Sequence, residues 1–227
     1  MKQKFTILFD LDGTLVDTAP DLMLAHNHVM KKFGYPTKST EDIRNLVGKG
    51  AGALIGRSIW GQAKKEFSKV LDAKIKDEMV KEFVNFYGKN IVNESTLVTG
   101  VKDFLIWCKE QNISMAVCTN KQEHLSNDLL KKIGIYDFFE YVAGSDTFDY
   151  CKPDPRHLTN VVEILDGDVK KTIMIGDSET DANAAKAAEI PVILLENGYT
   201  EKNTTEIYHN HLMKDFTGVE KIIKEYL

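Results

Sequence analysis

Cysteine is scarce in this chain. Cys108, Cys118 and Cys151 are odd in number and follow no ligand spacing, which excludes a disulfide framework and a thiolate metal site and points to reduced thiols. No uninterrupted apolar run approaches the roughly 18 residues needed to span a bilayer, so no membrane partner is expected. Basic charge is not in excess either. The 29 Lys and Arg residues face 34 Asp and Glu, for a net charge of -5, which argues against nucleic acid or an acidic membrane surface as a partner. The lysines from Lys64 to Lys81 alternate with acids and read as a solvated helix face. The six histidines show no metal spacing, and His26 and His28 are expected on an exposed helix face. There is no internal repeat and no low-complexity tract. Met-Lys-Gln-Lys runs straight into an apolar strand without a secretory leader pattern, so a cytoplasmic location is the expectation. Oligomeric state is not legible.

What is present describes an ordinary globular protein: 227 residues, 43% hydrophobic and 28% charged, enough for one large domain or a medium domain carrying an insertion. Four short apolar runs, Phe5 to Phe9, Ile113 to Cys118, Thr172 to Ile175 and Val192 to Leu195, are continuous rather than alternating. That pattern suits strands buried on both faces of a parallel sheet. Helical stripes lie between them. Val101, Phe104, Leu105 and Cys108 share one face and end near Asn112. Leu125, Leu129 and Ile133 share another and stop at Gly134. Leu158, Val162 and Leu165 precede Asp166-Gly167. Strand and helix alternate, so the class is α/β.

The stretch from 16 to 90 breaks the alternation. Pro20 suits a first helical turn, and Leu22, Ala25, Val29 and Phe33 form a stripe closed by Gly34. Ser39 and Asp42 resemble a capping box that opens a second helix, interrupted by Gly48, Gly50 and Gly52. A long amphipathic segment then carries Phe67, Val70, Leu71, Ile75, Phe83 and Tyr87 to Gly88. The expected organisation is a catalytic core from 1-15 and 91-227, with 16-90 inserted as an all-helical cap that forms a lid.

The insertion follows "ILFDLDGTLVDT", where an apolar run halts at Asp10 and Asp12-Gly13-Thr14 follow. Asp-Gly between apolar residues is a strong hairpin signal, but a hairpin needs an antiparallel partner strand next, and the pattern from Ala19 onward is helical. The other reading puts both acids at the open end of a buried strand, where α/β sheets bind ligands. The strand ending at Cys118 delivers Thr119 and Asn120 to the same edge. The strand ending at Ile175 delivers Asp177 and Asp181, and Lys152 precedes it in Lys152-Pro153-Asp154-Pro155.

Acids, a lysine and a hydroxyl meeting at one sheet edge suit phosphoryl transfer from a monoester. Two charges of like sign about 4 Å apart repel by about 4 kcal/mol at an effective dielectric near 20, so a phosphate approaching a carboxylate needs a cation. Asp10, Asp12 and Asp177 are the candidate metal set for Mg²⁺. Asp10, Asp177 and a backbone carbonyl lie closest to the ion, and Asp12 lies just outside that grip. Lys152 offsets the remaining repulsion, Asp10 attacks phosphorus, and Asp12 serves as general acid and base. Thr119 donates to a phosphate oxygen, and Asn120 is a substrate-binding candidate. Asp181 either orients Lys152 or a metal-bound water, or only caps a helix through Ser178-Glu179-Thr180-Asp181. In the insertion, Lys49 and Arg57 are the cations nearest in sequence to the glycine-rich turn and are candidates for gripping a carboxylate on the substrate.

"FDLDGTLVDT", "CTN", "CKPDP" and "IGDSETD" together resemble the four ordered motifs of the haloacid dehalogenase superfamily of phosphatases. The resemblance spans essentially the whole chain. It implies a Rossmann-like core with a small helical cap, and the roles just given to Asp10, Asp12, Thr119, Lys152 and Asp177. Members that cleave carbon–halogen bonds lack the second acid of the first motif, so Asp12 favours phosphate chemistry. "NLVGKGAGALIGRSI" and "GYT" at Gly198 are similar to phosphoglycolate phosphatases, which imply 2-phosphoglycolate as substrate. Gly56-Arg57 departs from the acid those enzymes place before the arginine, and Thr99-Gly100 from their Pro-Gly. Other small phosphorylated metabolites (sugar phosphates, nucleotides, pyrophosphate), a phosphosugar mutase and a non-catalytic binding protein are the alternative readings.

Overall fold

The structure, a computed structural model, describes residues 4–66 and 73–227. Phe67, Val70 and Leu71 of the expected amphipathic segment, and part of the lysine-rich stretch, lie outside the described residues. In chain order the elements are β1 (Thr6–Phe9), β2 (Val16–Asp17), α1 (Ala19–Phe33), α2 (Thr40–Arg44), α3 (Ala51–Glu66), α4 (Ala73–Lys89) and β3 (Thr96–Leu97). There follow α5 (Val101–Glu110), β4 (Ser114–Cys118), α6 (Glu123–Ile133), β5 (Tyr141–Ala143), α7 (Arg156–Ile164), β6 (Thr172–Gly176), α8 (Glu179–Ala187), β7 (Val192–Leu195), β8 (His211–Met213) and α9 (Val219–Lys224).

Six strands form one sheet in the order β5-β4-β1-β6-β7-β8, and every neighbouring pair is parallel. This is the Rossmann-like α/β core. The four apolar runs supply β1, β4, β6 and β7, each buried along its whole length. The short edge strands β5 and β8 lack such runs and escape the sequence pattern. Register decides where chemistry can occur. Phe9 pairs with Val117 on one side and Ile175 on the other, so β1, β4 and β6 end level and Asp10, Thr119 and Asp177 emerge together.

Between β1 and α5 the chain leaves the sheet and returns. The two crossings run side by side, Val16 and Asp17 pairing antiparallel with Leu97 and Thr96. Buried Asp21, in the first turn of α1, accepts hydrogen bonds from the N–H groups of Asn93, Glu94 and Ser95 and from the Ser95 hydroxyl, fixing the return to the start of the excursion. Leu22, Ala25 and Val29 of α1 pack with Leu54 and Ile55 of α3 and Met79, Phe83 and Tyr87 of α4. The Ser39–Asp42 capping box forms, but its helix is one short turn ending at Arg44. Gly48 (φ 93°) and Gly50 (φ 80°) then bend the chain toward α3, while Gly52 lies inside that helix. Ile75, expected on the apolar stripe, is exposed.

His26 departs from its expected exposed position. It is fully buried, with Nε2 2.7 Å from Ser58 Oγ and Nδ1 3.0 Å from Asn27 Oδ1. It shares the α1 stripe with Leu22 and Val29, and polar partners from α3 and α1 make its burial tolerable. His28 lies near the surface and meets Glu82 at 2.7 Å.

Candidate active site

Asp10 follows the last residue of β1 and is anchored by its own N–H donating to the Ile175 carbonyl at 2.9 Å. Lys152, from the connection between β5 and α7, places Nζ 2.8 Å from Asp10 Oδ1 and 2.5 Å from Asp181 Oδ1. Asp177 stands just beyond β6. All four side chains are buried. The Asp-Gly pair that posed as a hairpin has another purpose. Gly13 has φ +84°, and a Cβ there would lie 2.9 Å from Tyr199 Cγ and collide with the Asp177 carboxylate. Glycine is needed for close approach as well as for the bend.

The electrostatics follow from three buried carboxylates facing one ammonium. Burial pushes Asp10 up to about 6, against the lowering effect of Lys152. Burial also raises Asp177 well above the usual carboxylate range, with Asp10 and Asp181 adding to it. Lys152 is opposed by its own burial, but the contacts with Asp10 and Asp181 outweigh that and hold its charge firmly. Carboxylates crowded and buried in this way ionise fully only beside a further cation, and otherwise hold protons. Among the described residues, ligand atoms of Asp10, Asp177 and Asp181 come within 4.8 Å of one another. The donor set therefore fits a hard, oxygen-seeking divalent ion.

Asp12, expected in the metal set, is absent from that group. Lys121 Nζ lies 2.7 Å from each of its carboxylate oxygens, and Thr18 Oγ1 donates to Oδ1 at 2.7 Å. Asp181 occupies the third place but is already engaged. Its Oδ2 accepts from the backbone N–H groups of Asp177 (3.2 Å) and Ser178 (3.0 Å) and from the Ser178 hydroxyl (2.7 Å), while Oδ1 holds Lys152. Asp181 thus makes the contacts of both roles, capping α8 through one oxygen and pairing with Lys152 through the other.

Thr119 is buried, and its Oγ1 accepts from the Lys121 N–H at 3.2 Å, leaving the hydroxyl hydrogen available. Asn120 Nδ2 donates to the carbonyls of Gly48 (3.1 Å) and Lys152 (2.9 Å), tying the glycine turn to the lysine's own backbone. A cavity of about 300 Å³ opens between the sheet edge and the helical excursion, lined by Asp10, Asp12, Lys49, Tyr87, Asn120 and Lys121 among others. Lys49 is an exposed residue at its rim. Arg57 does not line it. The guanidinium donates to the carbonyls of Asn45 and Leu46, each at 3.1 Å, and pairs with Glu201. Arg57 thus straps the turn before α3 to the loop after β7, away from the cavity in which a grip on a substrate carboxylate was expected.

Two residues of this site escaped the sequence reading. Lys121 directly follows Thr119-Asn120, and its ammonium, 4.7 Å from the Tyr87 ring centroid, meets Asp12. One position beyond the reach of the motif was enough to hide it. Tyr199 was visible as part of "GYT", but no local signal told that its N–H reaches Asp177 Oδ2 at 2.6 Å.

The chain belongs to the haloacid dehalogenase-like hydrolases, whose family model matches residues 7–195. Within that family it is a phosphatase. A phosphoglycolate phosphatase of Mesorhizobium japonicum is 36% identical over 221 residues, covering 97% of this chain and 95% of the relative. One of Caulobacter vibrioides is 38% identical over 216 residues, covering 95% and 89%. Among solved structures, a predicted phosphoglycolate phosphatase from Haemophilus somnus 129PT superposes with a TM-score of 0.90 at 30% identity, covering 98% of this chain and 99% of its own. No helix among the described residues is long and apolar enough to cross a membrane.

Proposed function

We propose that this phosphatase hydrolyses 2-phosphoglycolate to glycolate and phosphate through a phospho-aspartyl intermediate on Asp10, with Mg²⁺ as its metal. The observation that carries the mechanism is the convergence of Asp10, Lys152 and Asp177 at the level ends of β1, β4 and β6. The substrate rests on similarity to relatives named for phosphoglycolate, together with a cavity of about 300 Å³ that suits a small molecule. In this reading 1-15 and 91-227 form the catalytic core and 16-90 the cap.

Asp10 attacks phosphorus and expels the glycolate oxygen, dividing one hard displacement into two easier ones. Lys152 offsets negative charge on the transferring oxygens, and the Thr119 hydroxyl donates to one of them. Asp12 gives a proton to the leaving oxygen, then takes one from the water that cleaves the acyl phosphate. To do so its carboxylate must release one of its contacts with Lys121 and Thr18. Asp10 and Asp177 would hold the ion, which supplies charge neutralisation between the carboxylates and the phosphoryl oxygens. Lys49, which lines the cavity from the cap, is the cation that would meet the substrate's carboxylate. The protein works in the cytoplasm and takes no nucleic acid or membrane partner.

Phosphate release from a panel of phosphomonoesters with Mg²⁺ tests the reading, with phosphoglycolate set beside sugar phosphates, nucleotides and pyrophosphate. Phosphoglycolate should exceed the others in kcat/KM by at least about tenfold, roughly 1.4 kcal/mol of preferential transition-state binding. If it does no better than simple sugar phosphates, the substrate falls and the phosphatase stands. Phosphate moved within a sugar phosphate, rather than released, would mark a mutase.

A further inference from the structure

Tyr199 touches the sheet edge with one end and the crossing to the helical excursion with the other. Its backbone N–H donates to Asp177 Oδ2 at 2.6 Å. Its hydroxyl donates to Asp17 Oδ1 at 2.6 Å and accepts from the Ala19 N–H at 2.8 Å, so both of the hydroxyl's capacities are spent where the chain leaves the core. The ring between them is buried. The Arg44 guanidinium of α2 lies 5.4 Å from the ring centroid and donates to Asp17 Oδ2 at 2.7 Å.

The neighbours extend the pattern. A Cβ on Gly198 would collide with the backbone and side chain of Asp177, so the loop after β7 presses directly on that acid. Two residues beyond Tyr199, Glu201 pairs with Arg57 of α3. The segment 198–201 therefore bears on a metal-binding carboxylate at one end and on α2 and α3 at the other. Asp17 belongs to the paired crossings and Ala19 to the first turn of α1, so a rotation of the helices about those crossings displaces one partner of the Tyr199 hydroxyl relative to the other. The hydroxyl must shift or give up a hydrogen bond, and the N–H aimed at Asp177 belongs to the same residue.

We propose that Tyr199 is a positioning residue that couples the hinge of the cap to the metal site: its side chain is anchored at Asp17 and Ala19, and its backbone N–H sets the orientation of Asp177. The consequence is reciprocal. A cap held in place favours metal binding, and bound metal favours the held cap. This inference rests on the reading of Asp10 and Asp177 as metal ligands, and it does not depend on which phosphate ester is the substrate.

Tyr199→Phe tests it, because the variant keeps the ring and the N–H and loses only the hydroxyl. Mn²⁺ binding to the substrate-free protein is measured by electron paramagnetic resonance, alongside thermal unfolding of the same samples. The dissociation constant should rise on the order of tenfold, as when a partner that orients a metal ligand is removed. Asp17→Leu should weaken Mn²⁺ binding to a similar degree. The double variant should be no weaker than either single one, since both act through the same contact. An unchanged Mn²⁺ affinity in Tyr199→Phe, whatever its melting temperature, would reduce Tyr199 to a packing residue and overturn the proposal. Additive effects in the double variant would overturn the coupling through Asp17. Absence of Mn²⁺ binding by the unsubstituted protein would overturn the metal site itself, which separates that failure from the others.

Discussion

Lys121 grips Asp12 through both carboxylate oxygens, at 2.7 Å each, with its ammonium also 4.7 Å from the Tyr87 ring centroid. The pair joins the loop after β1 to the loop after β4 and fixes the direction in which Asp12 points. Lys121→Met keeps most of the stem and removes the charge. A partly buried carboxylate deprived of such a partner costs about 1–3 kcal/mol and drifts from its aligned position. We expect kcat to fall at least about tenfold with phosphoglycolate, while the melting temperature moves by only a few degrees. Unchanged kcat would show that Asp12 does not depend on the lysine for its placement.

Asp10 and Asp12 differ in their surroundings as their proposed roles require. Asp10 touches Lys152 and lies close to Asp177 and Asp181, whereas Asp12 touches Lys121 and Thr18. Asp10→Asn should therefore abolish turnover with the fold intact, having lost the nucleophile. Asp12→Asn should slow turnover severely and accumulate phosphate on Asp10, since the proton needed to activate water is no longer taken up. Mass spectrometry of peptides from the quenched reaction locates the phosphate, and finding it anywhere else reassigns the nucleophile.

Asp181 serves two partners with two oxygens, so its replacement should show two effects. Asp181→Asn retains one oxygen but turns an amide NH₂ toward either the α8 cap or Lys152, both of them donors. Stability should fall by about 1–2 kcal/mol for the cap. The kcat should fall on the order of tenfold as Lys152 loses its orienting contact. Loss of stability with unaltered kcat would leave Asp181 a capping residue only.

The sheet was legible because its central strands are uninterrupted apolar runs, and the acids were legible because each follows such a run directly. Asp10 and Asp177 needed no tertiary knowledge beyond the assumption that strands end level, which the register of Phe9 against Val117 and Ile175 bears out. Residues whose roles depend on contacts far along the chain were not readable. Lys121 reaches Asp12 across 109 positions, and Arg57 reaches Glu201 across 144. His26 was misread because a histidine among apolar positions gives no sign of the Ser58 hydroxyl that satisfies it.

Arg57 straps the excursion to the loop after β7 instead of facing the cavity, so its loss should not alter selectivity. Arg57→Ala should change kcat/KM for phosphoglycolate and for its uncharged amide by the same factor. The Arg57–Glu201 pair is largely exposed on the acid's side and should contribute no more than about 1 kcal/mol. Lys49→Ala, at the cavity rim, should instead lower the ratio of the two kcat/KM values several-fold. A changed ratio in Arg57→Ala would return that arginine to the substrate.

His157 supplies the pH prediction. It is fully buried on α7 with Phe148 edge-on at 5.8 Å, and a contact with the Gly144 backbone only partly offsets the cost of charging the ring there. Burial, aided by the charge on Lys152, depresses its pKa from 6.5 to about 4. The native state thus favours the neutral ring, whereas the unfolded chain takes a proton at the ordinary value. The stability His157 contributes is fully present above pH 6.5 and is lost progressively as the pH falls toward 4. A shift of that size corresponds to about 3 kcal/mol at most. Denaturant unfolding followed from pH 7 to pH 4 should accordingly show a steep loss, superimposed on the contributions of the carboxylates. In His157→Phe, which fills a similar space without a titrating group, that loss should shrink by about 2–3 kcal/mol across the same interval. A parallel pH dependence in the two proteins would mean that the ring charges as readily in the folded state as in the unfolded one.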